Sequence, residues 1–285
     1  MVLRGALRHG SCARAAVAAA LAAMLVCLGA SPAGAQTTET AVGEVRGCRE
    51  IIALVNVPAG PVRERVPSSY TLYEELPGQA MLFVRGASCE SVNVSGEDIP
   101  TYMAQLGAVI ESPDREGCMT HGERDFGFGS LDGDWVKYCS WYPFFMVTDN
   151  RVFARWLQAD GTQRFPVYHT RAFRYDLRPG LVPGQYGFRF GVAGTAPSPF
   201  ELEGSGLERE GAIPLRIAYW HTLGEKVVKL FADPDIKIGH AEGEVRTGPD
   251  TDLARMLGGT RARFASPFSL NYIVAGPLTK EVRSP

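Results

Sequence analysis

Residues 141–175 read WYPFFMVTDNRVFARWLQADGTQRFPVYHTRAFRY, a strand, a helix and a second strand in close succession. Trp141 to Val147 is an unbroken apolar run of strand length. Asp149 carries a side-chain oxygen where a helix would need a cap, and Phe153, Trp156 and Leu157 fall at i, i+3 and i+4. One face of that helix is therefore apolar until Ala159-Asp160-Gly161 ends it. From Phe165 the period drops to two, so Phe165, Val167, His169, Arg171, Phe173 and Tyr175 share one face of a strand, with Tyr168, Thr170 and Arg174 on the other.

Working outward, Ile51 to Val57 is a second apolar run, broken by Pro58-Ala59-Gly60-Pro61 and followed by one helical turn at Val62 to Val66. Ala80 to Val94 alternates, placing Met81, Phe83, Arg85, Ala87 and Cys89 on one side of a long strand. Asp98 and Pro100 predict a short helix from Thr101 to Leu106 that stops at Gly107. Tyr186 to Val192 is a strand between Pro-Gly turns, and Gly204-Ser205-Gly206 falls in an acidic loop. Leu215 to Thr222 and Lys226 to Phe231 form a hairpin through Leu223-Gly224-Glu225. Strands follow at Asp235 to Ile238, Glu242 to Val245 and Ser269 to Val274. Between the last two, Asp250 or Thr251 caps a helix that carries Leu253, Met256 and Leu257 on one face and ends at Gly258. Many short strands with few helices give a mainly β (α+β) fold: an antiparallel, closed or nearly closed β-barrel with a few short peripheral helices.

The first 35 residues read as a cleaved signal peptide. Arg4, Arg8 and Arg14 form the positive segment, Ala15 to Leu28 the apolar one, and Ala33-Gly34-Ala35 the cleavage site. The mature chain, 36–285, is then a single exported domain, secreted or periplasmic. Without the three arginines it holds 26 basic and 31 acidic residues, a formal charge of −5. That balance speaks against nucleic acid and against an anionic membrane surface as partners. Cys48, Cys89, Cys118 and Cys139 remain, an even number that suits two disulfides with three possible connectivities. We expect Cys48 with Cys89 and Cys118 with Cys139. No metal is expected, because no Cys-x-x-Cys, His-x-His or His-Glu-x-x-His occurs and Asp132-Gly133-Asp134 lacks the later ligands of a calcium loop. No cofactor is expected either: Walker, Gly-x-Gly-x-x-Gly and Gly-x-Ser-x-Gly motifs are absent.

The order Tyr142 to Val147, Thr148-Asp149-Asn150, helix to Gln158, then Asp160-Gly161-Thr162-Gln163-Arg164-Phe165-Pro166, resembles the acetoacetate decarboxylase superfamily. Val66-Pro67 with Tyr70 to Tyr73, and Gly78-Gln79-Ala80 running into Val84, are similar to that family's amino-terminal half. The resemblance implies a barrel with a central cavity. It also implies a lysine directly after the motif's proline, the residue that forms a Schiff base with a keto acid. Here that position is Val167, and no lysine lies between Lys137 and Lys226. The family's mechanism therefore does not carry over.

If Val167 faces the cavity, period two turns Phe165, His169 and Arg171 inward with it. The reading is then a small-molecule binding protein: an apolar or carboxylated ligand, such as a small organic acid, held by Arg171 with His169, Phe165, Val167 and His221 around it. The alternatives are a lyase or hydrolase using His169 as acid or base with Glu75 or Glu225 on a keto or enol substrate, and a structural or partner-binding secreted protein with no cavity.

Overall fold

The structure is a computed structural model that describes residues 37–284 apart from 75, 115–139, 159–165, 195, 209–212, 215–216, 224–225, 233–234 and 266–267. Glu75, Cys118, Cys139, Phe165, Glu225 and the leader at 1–35 thus lie outside the described residues. Thr38–Ser284 forms one compact unit.

Fourteen strands build one mixed sheet among the described residues. Four long strands come first: β1 (Thr37–Pro58), β2 (Gln79–Asn93), β3 (Ile99–Val109) and β4 (Ser140–Thr148). β5 (Val167–His169) pairs with β4, and β6 (Phe173–Pro179), β7 (Gln185–Val192) and β8 (Phe200–Leu207) follow as a meander. The rest are β9 (Ile213–Pro214), β10 (Ile217–Leu223), β11 (Lys226–Ala232), β12 (Asp235–Thr247), β13 (Arg261–Arg263) and β14 (Phe268–Ser284). Neighbours run β1-β2-β3-β4-β10-β11-β14-β12-β8-β7-β6, and β14 also pairs with β1, so the first seven strands ring round.

Strand β14 joins that ring to the meander. Its first part, Phe268 to Ile273, pairs with β12, and its last part, Leu278 to Arg283, pairs with β11, with Gly276-Pro277 between them. The sheet is not purely antiparallel as expected from the strand spacing. The β4–β10 and β4–β5 ladders are parallel, because a helix or a long connection intervenes at each of these crossings.

Strands β1 to β4 are buried on both faces. Ile51, Ala53, Val55, Leu82, Val84, Ala104, Leu106 and Val147 enter a first core shared with Phe188, Phe190 and Phe200 of the meander. Ile52, Leu54, Met81, Phe83, Met103 and Met146 enter a second core shared with Tyr219, Leu230 and Leu278. A strand buried on both faces loses its polar alternation, which explains the run Ile51 to Val57. It also explains the main correction: Thr101 to Leu106 is not a helix but part of β3. Gly107, read as a helix stop, is there for close approach, since a Cβ would sit 2.3 Å from the Tyr142 carbonyl oxygen and 2.5 Å from the Phe83 ring. Gly86 does similar work on β2, where a Cβ would strike the Phe190 ring at 2.2 Å.

Helix α1 (Ala59–Arg63) follows β1, and α2 (Arg151–Gln158) packs Phe153, Ala154 and Leu157 into the second core. The cap of α2 is Asn150, not Asp149. Its Oδ1 accepts from the Val152 and Phe153 amides at 2.9 and 3.0 Å, while its Nδ2 donates to Thr101 Oγ1. Asp149 instead accepts from the Tyr102 amide and stitches β4 to β3. At the other end Lys280 donates to the Trp156 carbonyl at 2.6 Å, a cation at a helix C-terminus. Helix α3 (Asp252–Leu257) forms as its sequence suggests, with Thr251 accepting from the Ala254 amide and Gly258 at φ 68°. Gly204-Ser205-Gly206 is not a loop but the middle of β8, paired with β7 and β12.

A disulfide joins Cys48 on β1 to Cys89 on β2, the pairing expected for these two. It spans 41 residues of chain. Replacing both cysteines by alanine should lower stability by roughly 2–4 kcal/mol. The expected readout is a lower urea midpoint with a steeper slope, because the unfolded chain without its cross-link exposes more surface.

Candidate functional site

The second core contains a charged cluster. Glu50 on β1 and Gln105 on β3 are fully buried, and Arg85 on β2 is 7% exposed. The ladder places Arg85 directly opposite Gln105, and Glu50 sits two residues along β1 from Ile52, which is the residue opposite Arg85. Arg85 Nη2 donates to Glu50 Oε1, and Nη1 donates to Gln105 Oε1 at 2.6 Å and approaches the Met103 sulfur at 3.5 Å. The guanidinium carbon lies 5.9 Å from the centre of the Tyr219 ring. Burial opposes the charge on Arg85, but Glu50 more than offsets it, so the guanidinium is held above its ordinary value. Burial pushes the Tyr219 phenol up as well.

Not every polar atom of this cluster is satisfied. Glu50 Oε2, Arg85 Nε and Gln105 Nε2 are buried without a hydrogen-bond partner among the described residues. They belong to side chains that border an enclosed cavity of about 30 Å³, walled otherwise by apolar groups including Met146, Phe153 and Leu278. A water needs roughly 10–15 Å³ measured this way, so the space suits two water-sized groups. A larger groove of about 1130 Å³ crosses the meander, but it is open and rimmed by charges of both signs, with Arg178 bonded to Asp176. The enclosed cavity has what the groove lacks, namely unsatisfied polar atoms removed from solvent.

The residues singled out from the sequence lie elsewhere. Val167 is buried on β5 in the second core, but the strand ends at His169, and Thr170 to Ala172 separate it from β6. The face expected to run from Phe165 to Tyr175 is therefore split between two strands. His169 is half-buried and its Nε2 donates to the Asp149 carbonyl at 3.1 Å, while Arg171 is exposed. Both lie near the Asp149 carboxyl, which burial holds above its ordinary value, the bond from the Tyr102 amide offsetting only part of the rise. His221 on β10 has different neighbours from His169. Its ring stacks on Tyr142 at 5.2 Å, beside Tyr70, whose hydroxyl accepts from Thr222. None of these four side chains borders the enclosed cavity.

Among the described residues two lysines are buried, neither at that cavity. Lys229 is 2% exposed, bonded to Asp114 at 2.5 Å and set over the rings of Trp220 and Phe231, and Lys280 holds the end of α2. Among the described residues no group of three or more His, Cys, Asp or Glu is placed to hold a metal. No described helix is long and apolar enough to cross a membrane.

No protein-family model matches the chain, and no curated protein is similar to it. Among solved structures, one described as "Structural Studies of Acetoacetate Decarboxylase" is similar over 84% of this chain and 86% of its own, with TM-score 0.42 and 9% identity. A loop-deletion mutant of OmpT, an outer membrane protein of Vibrio cholerae, is aligned over 88% of this chain and 99% of its own, with TM-score 0.10 and 9% identity. The first is a remote structural relationship without a sequence family, and the second carries no weight.

The buried pair sets a clear energetic expectation. Arg85→Met alone leaves Glu50 uncompensated, Glu50→Leu alone leaves Arg85 so, and each should cost about 3–5 kcal/mol, whereas the double variant should regain most of the loss. Unfolding curves of the three variants measure this, and a double variant no more stable than the singles would contradict it. His221 gives a pH test. Burial pushes its imidazole down to about 4 from 6.5. Stability from keeping it neutral is full above pH 6.5 and is lost as pH falls towards 4, by at most about 3 kcal/mol. His221→Phe should flatten that part of the stability–pH curve.

Proposed function

We propose that the protein is an exported binding module that holds a very small organic acid, or a molecule of the same shape, in the interior of the strand ring. The observation that carries this reading is that three buried, unpartnered polar atoms belong to side chains that border one small cavity. A buried polar group without a partner costs about 1–3 kcal/mol, and a ligand with complementary groups would recover it. On this reading the ring acts as the closed wall of a decarboxylase-like barrel, and Phe153 of α2 helps to close the cavity. Met103 and Met146 border it too, and thioether side chains adapt readily to a guest. The recognition groups are thus Arg85, Glu50 and Gln105 rather than His169 and Arg171.

The Cys48–Cys89 disulfide and the apolar leader both support export, since disulfides persist in oxidising compartments. Schiff-base chemistry has no support: Val167 stands where the lysine would be, and Lys229 is tied to Asp114. At the ceiling of about 1.5 kcal/mol per non-hydrogen atom, a three-atom ligand binds no tighter than about 0.5 mM. Titration of the full chain at pH 5.5 with ¹³C-formate and ¹³C-acetate, followed by NMR, should therefore show saturable binding in the millimolar to tens-of-millimolar range. The Arg85→Met/Glu50→Leu double variant, checked for folding, should lose it. No saturation in the wild type at pH 5.5 up to about 0.2 M would remove the proposal. Borohydride reduction with a keto acid should leave the mass unchanged.

A further inference from the structure

The charge count of the cavity says more than that it binds an acid. Among the described residues Arg85 is the only cation bordering the cavity, and Glu50 already neutralises it. The unsatisfied atoms left over are two donors, Arg85 Nε–H and Gln105 Nε2–H, and one acceptor, Glu50 Oε2. An ionised carboxylate is acceptor-only. It would serve both donors but set its charge against Glu50 in an enclosed, low-dielectric space, where two carboxylates sharing one site do not both ionise. A carboxyl group carrying its proton has one O–H and one C=O, which matches the leftover atoms without adding charge.

Resting on the binding reading above, we propose that the Glu50–Arg85–Gln105 cavity takes up a one- or two-carbon carboxylic acid together with one proton, shared between the ligand carboxyl and Glu50. The balance is simple. The carboxylate and one solvent proton enter, an O–H bond forms between them or on Glu50, the hydrogen bond to the other carboxyl oxygen closes the pair, and no bond of the ligand breaks. The titratable groups acting on Glu50 are Arg85, Tyr219 and Tyr175, and both phenols are pushed up by burial, so they stay neutral. The flanking elements β4, α2, β11 and β14 present only Met146, Phe153, Leu230, Ala232 and Leu278. No other described residue bordering the cavity titrates, since Cys48 is held in the disulfide. The size limit follows from the volume of about 30 Å³: three heavy atoms fit, and four require the methionines to shift. A primary amide of the same size has an N–H donor and a C=O acceptor, and it needs no proton.

Calorimetric titration of the full chain with formate and with formamide, from pH 5.5 to 7.5, tests this. The dissociation constant for formate should rise about tenfold per pH unit, and titrations in two buffers of different ionisation enthalpy should report about one proton taken up per ligand. Formamide should bind with a dissociation constant that changes less than about twofold over the same range. Formate binding that is independent of pH, with no proton uptake, would overturn the inference while leaving the binding reading intact. If neither molecule binds, it is the binding reading that fails. Glu50→Gln, shown to be folded by its thermal transition, should bind formate without pH dependence, because Arg85 is then uncompensated. Pronounced pH dependence in that variant would also overturn the inference, and if it does not fold, the wild-type profile and proton count decide alone.

Discussion

Burial of the central parts of β1 to β4 on both faces is the constraint from which most of this fold follows, because it places four adjacent strands between two apolar cores and leaves those parts no solvent side. The meander β6–β7–β8–β12 supplies the lid of one core, and β10, β11, β14 and helix α2 supply the other. Both need β14 to change partner halfway along its length, from β12 to β11. The disulfide ties β1 to β2 within the second core. Any polar side chain on these strands must then find its partners inside the protein, since water cannot serve it.

Two-sided burial also decides which parts of the fold were legible in the sequence. Strand β2, the β10–β11 hairpin and helix α3 were read nearly to their ends, because alternation, a Gly-containing turn and a Thr cap are local signals. Strand β3 was not. Met103-Ala104-Gln105-Leu106-Gly107-Ala108 has no alternation to show, and Asp98, Pro100 and Gly107 imitate a cap, a first turn and a stop. Asp98 in fact accepts from Ser91 and Asn93 on β2. The misplaced cap of α2 has a similar cause, since Asp149 and Asn150 are both good capping residues and only the pairing of Asp149 with the Tyr102 amide separates their roles.

The cluster in the second core was half visible. Alternation along β2 sets Arg85 on the same side as Met81, Phe83 and Cys89, an arginine in the middle of an apolar face. That is the signal for a buried ion pair, but its partners lie 35 residues earlier and 20 residues later in the chain, beyond any local pattern. Period two at 165–175 points to His169 and Arg171 instead, but there the strand breaks after three residues. A pattern of alternating residues states which side chains would share a face if the strand continued. It does not state that the strand continues.

A structural explanation of the Arg85–Glu50–Gln105 cluster is available, and it accounts for part of what is observed. The cluster fixes the register of three strands, because a one-residue slip of β2 would turn Arg85 towards the first core, against apolar residues such as Ala53 and Leu106. For that task, however, the most stable solution is a network in which every donor and acceptor is used, as a half-satisfied buried network is worse than an apolar one. This cluster spends one guanidinium on Glu50 Oε1 and Gln105 Oε1 and leaves three atoms unsatisfied, on three side chains that border the same small void. Register alone gives no reason for the unsatisfied atoms to share a cavity. A guest that completes the network does, and the guest it describes has one donor, at least one acceptor and no net charge.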